Sequence, residues 1–216
     1  MLNIQQFTFS PFQENTYVIY DDKGWCAIVD PGCYFDYEKA QLKAFIQDNQ
    51  LTPKLLLNTH CHLDHVFGNK FTYETWGLIP HLHELELPVL QRAGEAGVKW
   101  GVPFDAYSGE VAFVKEGEEV VLGEERLQVL LMPGHSPGSV GFYKEDQEFI
   151  LSGDVLFRNS IGRTDLPGGD HDTLLNSIRT KLWPLPPKVQ VYSGHGPITT
   201  IGYEKQYNPY VNEGLF

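Results

Sequence analysis

The segment 58–68 reads NTHCHLDHVFG and puts His60, His62, Asp64 and His65 within six positions, although the chain has only eight histidines in 216 residues. In extended or looped backbone, residues two apart point the same way. His60 and His62 can therefore approach one metal ion, while Asp64 and His65, one turn further on, can reach a second. Neutral imidazole and carboxylate both suit zinc or iron. A histidine-rich loop can also be a solvated turn, but three distant segments complete a donor set. MPGHSPGS carries His135, LSGDVLF carries Asp154 and YSGHGP carries His195. Each follows a predicted strand directly and sits beside glycine, which lets backbone turn sharply. Ligands of open sheets gather at the carboxyl ends of strands.

The elements that must present these residues follow from periodicity. Residues 2–9, 15–20 and 26–29 read as strands, rich in aromatic and β-branched side chains and broken by SPFQEN and DDKG. Asp36 is expected to N-cap a helix running to about Asn49, with Leu42, Phe45 and Ile46 at helical spacing. PKLLL is a short apolar strand whose carboxyl end delivers the histidine segment. Residues 69–76 predict a helix, 78–81 a strand, and 84–97 a second helix interrupted near Pro88. Further strands are expected at 111–114, 119–121, 127–132, 140–144 and 148–152. A helix at about 172–182, the strand VQVYS and a short helix near 200–207, stopped by Asn208-Pro209, complete the chain. Strands and helices alternate in two sets with no linker between them. One domain over 1–216, built as two sheets face to face with helices outside, is the expected architecture.

Composition narrows the function. The net charge of −12 leaves no basic stripe for nucleic acid or an anionic membrane. No apolar run is long enough for a transmembrane helix. The start, MLNIQQFTFSPFQENTYVIY, lacks a basic stretch followed by an apolar one, so a cytoplasmic protein is expected. Three cysteines, Cys26, Cys33 and Cys61, without CxxC spacing, fit a reducing compartment rather than a disulfide framework. Cys61, inside the histidine cluster, is either a small buried thiol or an oxidation liability.

The run HxHxDH (His60, His62, Asp64, His65), followed in order by GHSPGS, SGD and GHGP, resembles the metallo-β-lactamase superfamily over essentially the whole chain, including IVDPG at 28–32. SGDVLF with a following GRTD looks like the glyoxalase II (hydroxyacylglutathione hydrolase) branch. The resemblance implies an α/β fold, an αββα four-layer sandwich of two mixed sheets. It implies a dinuclear centre in which His60, His62 and His135 hold one cation, Asp64, His65 and His195 hold the other, and Asp154 bridges. The two divalent ions are expected to be zinc, with iron or a zinc/iron pair as the alternative. Asp30 in VDPG is expected to orient the ligand loop from behind, or else to be a turn residue.

Such a centre implies a hydrolase in which a hydroxide shared by the cations attacks the carbonyl of a small-molecule thioester, with Asp64 accepting a hydrogen bond from the nucleophile. Arg158 and Arg163 are candidates for a substrate carboxylate, since a planar guanidinium suits that geometry. GRTD can equally be a structural Arg–Asp pair. Only 21 residues follow His195, so the helical domain that helps grip glutathione in glyoxalase II is not expected here. Asp165 also stands where that family has a tyrosine. Two alternatives share the fold: a persulfide dioxygenase with one iron, and a lactonase or other ester hydrolase. GHSPG formally matches a serine-hydrolase elbow at Ser136, but SVGFYK behind it reads as a strand where the elbow needs a helix. His81 and His83 in PHLHELEL mimic an HxH pair but are set aside with seven ligands already assigned, His83 fitting the cleft mouth better, and His171 in GGDHDTLL reads as the entry to a helix.

Overall fold

The computed structural model describes residues 1–212. Strands β1 (Asn3–Phe9), β2 (Glu14–Tyr20) and β3 (Trp25–Val29) pair antiparallel. In β2 and β3 nearly every side chain is buried, a pattern that requires cover on both faces of a sheet. Tyr17, Ile19, Ala27 and Val29 face a second sheet. Val18, Cys26 and Ile28, out of phase by one residue, face helix α1 (Asp36–Asp48) through Leu42 and Ile46. Complete burial of a Leu or Ile contributes about 2 kcal/mol, so the apolar side of α1 fixes it against the sheet.

The first sheet continues through β4 (Thr52–Leu57), β5 (Pro80–Leu82) and β6 (Ala112–Phe113), all parallel from β3 onward. Between these strands run α2 (Leu63–Val66), α3 (Asn69–Trp76) and α4 (Leu87–Lys99). The second sheet contains β7 (Glu119–Leu122), β8 (Glu125–Leu131), β9 (Val140–Lys144) and β10 (Phe149–Gly153). A hairpin of β11 (Leu156–Phe157) and β12 (Ser160–Ile161) and helix α5 (His171–Ser177) precede β13 (Gln190–Ser193), β14 (Thr199–Thr200) and α6 (Ile201–Tyr207). The order across this sheet is β14-β13-β10-β9-β8-β7, with only β10 and β13 parallel. Leu122, Val129, Phe142 and Leu151 meet the inner face of the first sheet, and Ile150 and Val191 pack outward on Leu174, Ile178 and Ile201. The result is the expected four-layer αββα sandwich.

Several local expectations need correction. Phe35, not Asp36, is the N-cap of α1, and Asp36 lies in its first turn. The capping work falls to Glu38, whose carboxylate accepts from the N–H groups of Ser10, Tyr34 and Phe35. Pro88 does not interrupt a helix. It sits in the first turn of α4, after a 3-10 turn at Glu84–Glu86, where its missing N–H costs no hydrogen bond. The helix expected at 172–182 widens into a π-helical turn at Ile178–Leu182. The short hairpin β11–β12 and the four-residue α2 had no legible period.

Candidate metal centre

Four of the candidate ligands lie just beyond the carboxyl end of a strand. β4 ends at Leu57 before His60, β8 at Leu131 before His135, β10 at Gly153 before Asp154, and β13 at Ser193 before His195. His62 caps the start of α2, which then carries Asp64 and His65 on its first turn. The two sheets are stitched together at this rim. Asn15 at the start of β2 donates its backbone N–H to Gly194 O at 2.7 Å and its side-chain amide to Ser193 O and Gly196 O.

All seven side chains converge. His60, His62 and His135 bring their ring nitrogens together: His62 Nδ1 is 2.8 Å from His135 Nε2, which is 3.2 Å from His60 Nε2. Asp64, His65 and His195 form a second group, with His195 Nε2 3.2 Å from Asp64 Oδ2. Asp154 lies between the groups. Its Oδ1 is 3.4 Å from His65 Nε2, and its Oδ2 is 3.6 Å from His135 Nε2 and 3.5 Å from His195 Nε2.

The donor chemistry fits metal cations. His60, His65, His135 and His195 each set Nδ1 against an oxygen: Thr59 Oγ1, Asp30 Oδ2, Arg163 O and Gln13 O. That arrangement fixes the proton on Nδ1 and turns the Nε2 lone pair inward. Lone pairs facing one another at about 3 Å repel unless a cation or proton sits among them. His65 Nε2 and Asp154 Oδ1 are moreover buried without a hydrogen-bond partner, an arrangement that native interiors avoid. A cation satisfies both. Glycine is required beside them, because a Cβ at Gly194 would collide with Asp154 Oδ1 and one at Gly162 with the Asp154 carbonyl.

The electrostatics divide the two groups: the histidines of the first are held neutral, while the carboxylates around His65 and His195 favour positive charge there, whether from a proton or from a cation. Burial, reinforced by the neighbouring imidazoles, pushes His60 well below the usual histidine range and His62 down to about 3, so both stay neutral donors. Burial opposes charge on His65, but Asp154 and Asp30 outweigh it and raise its pKa well above normal. Burial likewise works against the Asp64 carboxylate, yet the hydrogen bond from His195 and the charge of His65 hold it below the usual value. Asp64 is therefore ionised at neutral pH.

Asp30 stands behind the ligands, with positive φ (48°), accepting from Thr59 N–H at 2.7 Å and Thr59 Oγ–H at 2.5 Å as well as from His65. Two buried acids were missed by sequence reasoning. Glu14 accepts from Thr16 and lies 3.9 Å from His65 Nδ1. Glu86 bonds to both ligand-bearing loops, through Cys61, Ser136 and Gly138. Only the presence of an acid in the amphipathic run HELELPVL could have pointed to Glu86. Ser136 is itself completely buried and spent on Glu86. Cys61 is a buried thiol whose pKa burial raises well above normal.

A cavity of about 880 Å³ opens over the ligands, lined by Phe12, Leu63, α4, Ile161 and Leu166. Arg163 lines it, already bidentate to Asp165 through Nε and Nη2 at 2.7 Å each, with its guanidinium 5.9 Å from the Trp100 ring. Arg158 does not line it. Its guanidinium lies 5.0 Å from the ring of Tyr203 on α6, so the pairing of both arginines on one substrate group is not what the structure presents. His81 and His83 are also outside the cavity lining. His83 caps the 3-10 turn by accepting from Leu85 N–H, and His171 opens α5 behind its cap, Asp170. No helix among the described residues is long and apolar enough to cross a membrane.

Comparison with known proteins accords with this geometry. The sequence profile of the metallo-beta-lactamase superfamily matches residues 9–195. The chain is 39% identical over 217 residues to hydroxyacylglutathione hydrolase GloC of Haemophilus influenzae, covering 98% of this chain and 99% of that protein. Among solved structures, TTHA1623 in a di-iron-bound form superposes with a TM-score of 0.87 at 39% identity, covering 96% of this chain and 100% of the other. BLEG-1 B3 metallo-beta-lactamase superposes at 0.86 with 38% identity, covering 97% and 99%.

Proposed function

Because the chain belongs to the metallo-β-lactamase superfamily, we propose that it is a two-metal hydrolase that cleaves thioesters of the hydroxyacylglutathione type. The observation that carries this reading is the position of Asp154 between two three-residue donor groups, on the floor of a largely apolar cleft. His60, His62 and His135 would hold one cation and Asp64, His65 and His195 the other. Zinc, iron or a mixture suits such a set, and the di-iron form of TTHA1623 shows that a relative takes iron. Bound cations supply Lewis acidity toward a carbonyl oxygen and lower the pKa of water to about 7.

The chain's own residues do the rest. Asp64, ionised and lining the cleft, accepts a hydrogen bond from the attacking water and so aims its lone pair at the acyl carbon. Phe12, Leu63, Ile161 and Leu166 exclude bulk water around the acyl group. A thiol of pKa about 8.5 leaves as thiolate, so no strong general acid is needed. The relation to GloC supports the thioester.

The test is hydrolysis of lactoylglutathione by the purified protein before and after complete chelation, with zinc or iron added back, beside a lactone and a chromogenic β-lactam. Loss and metal-dependent recovery of thioesterase activity is expected, with thioester preferred. Activity that survives a metal strip, or a protein that cleaves only lactone or lactam, would overturn the assignment.

A further inference from the structure

One face of α4 forms a wall of the cleft along most of its length. Val89, Arg92, Ala96 and Lys99 recur at helical spacing and all line the cavity, continued by Leu85 from the preceding 3-10 turn. Ala93 and Ala96 leave the wall low between two cations. Arg92 and Lys99 are exposed to the cleft and have no hydrogen-bond or ion-pair partner among the described residues. Lys70, Arg126, Lys181 and Lys188 each lie against a carboxylate, and Lys54 and Arg158, which do not, lie over aromatic rings away from the cleft lining. Arg163, which also lines the cleft near Trp100, is paired with Asp165. Two uncompensated positive charges therefore mark one wall of a cleft in a protein of net charge −12.

We infer that Arg92 and Lys99 bind the two carboxylates of the thiol part of the substrate, a short peptide-like thiol such as glutathione. This rests on the thioester reading above. Seven residues of α-helix separate the two cations by about 10 Å along the axis, and three residues of extended peptide span roughly the same. The thiol part lies along Ala93 and Ala96, its sulfur toward the ligands and its acyl group in the apolar pocket. Arg92 receives one carboxylate through its planar fork, and Lys99 receives the other as a point charge beside Trp100. The site is specific by charge, not by enclosure, because both cations stand at the solvent edge.

The test compares lactoylglutathione with the lactoyl thioester of N-acetylcysteamine, which carries no carboxylate, on wild type and on Arg92→Ala, Lys99→Ala and the double variant. Exposed ion pairs contribute up to a few-fold each, so the ratio of kcat/KM for the charged over the neutral thioester falls roughly tenfold in the double variant. The loss appears in KM, and added salt weakens the charged substrate only. Elemental analysis and thermal melting establish that the variants keep their metal and fold. Calorimetric binding of S-hexylglutathione, which cannot be hydrolysed, reads the subsite without turnover. If wild type cleaves no thioester yet binds S-hexylglutathione through Arg92 and Lys99, the reaction fails and the subsite stands. If the double variant keeps the wild-type ratio and the wild-type affinity for S-hexylglutathione, the subsite is refuted while thioester hydrolysis remains.

Discussion

The carboxylate of Glu86 accepts a hydrogen bond at 2.8 Å from the backbone N–H of Cys61, the residue between His60 and His62. Its other oxygen takes Ser136 Oγ–H at 2.6 Å and Gly138 N–H at 2.7 Å, on the loop of His135. One buried acid at the foot of α4 therefore ties together the two loops that bring the three histidines of the first group. Removing it leaves buried donors unsatisfied, and bonds to a charged acceptor are worth about 1.5–3 kcal/mol each. Glu86→Ala should lose about 3 kcal/mol or more in urea unfolding and bind the first cation at least about tenfold more weakly. Wild-type metal affinity in a folded Glu86→Ala protein would show that the loops hold their own shape.

His195 is the one ligand supplied by the β13 loop. His195→Ala should drop the bound metal from two equivalents to one by elemental analysis and remove most hydrolysis. Two metals retained in this variant would contradict the assignment of the second group. A single iron in wild type, with oxygen uptake on glutathione persulfide, would favour the dioxygenase alternative instead.

Asp30 holds the Nδ1 side of His65 at 3.0 Å while gripping Thr59. Asparagine keeps the shape but presents an amide where His65 needs an anion. Asp30→Asn should weaken metal binding by about 10–100-fold, measured by competition with a fluorescent chelator. An unchanged affinity would make Asp30 a turn residue only.

Filling the donor set should also stabilise the fold. A ligand present at a thousand times its Kd adds about 4 kcal/mol, which for a chain of this size is roughly 10 °C in Tm. Chelated protein should melt lower by about that amount, and a melting curve indifferent to chelation would count against a preformed centre.

Burial raises the Cys61 thiol well above its usual range and pushes Cys26 up to about 12, and all three cysteines are buried. The thiolate is the reactive form, so the native protein at pH 8 should react negligibly with an aromatic disulfide reagent. Unfolding in guanidinium should expose three thiols. Fast modification of one thiol in the native state would revive Cys61 as an oxidation-prone position.

The metal-directed residues were legible because their chemistry is local and redundant: four donors in six positions, and three more beside glycines at strand ends. The strands of both sheets read correctly where apolar runs were bounded by turn residues. What escaped depends on contacts between distant segments. Glu86 reads as one more solvated acid in HELEL until Ser136 and Cys61 fold onto it. Arg92 and Lys99 look like the wet side of a helix, because sequence does not show that this side faces a cleft. Arg158, one residue after the β11 strand, looked equivalent to Arg163, but the turn of the hairpin sends it to Tyr203. Pro88 was misread because a proline opening a helix and one breaking it differ only in where the preceding turn ends.

The link from Asn15 to the Gly194 carbonyl joins the two sheets at the rim where their donors meet. His60, His62, Asp64 and His65 belong to the first half of the chain, and His135, Asp154 and His195 to the second. Neither half alone completes either trio. Capture of the cations thus doubles as an inspection of assembly: a polypeptide whose halves have mated out of register stays unarmed, and only a correctly closed molecule becomes competent.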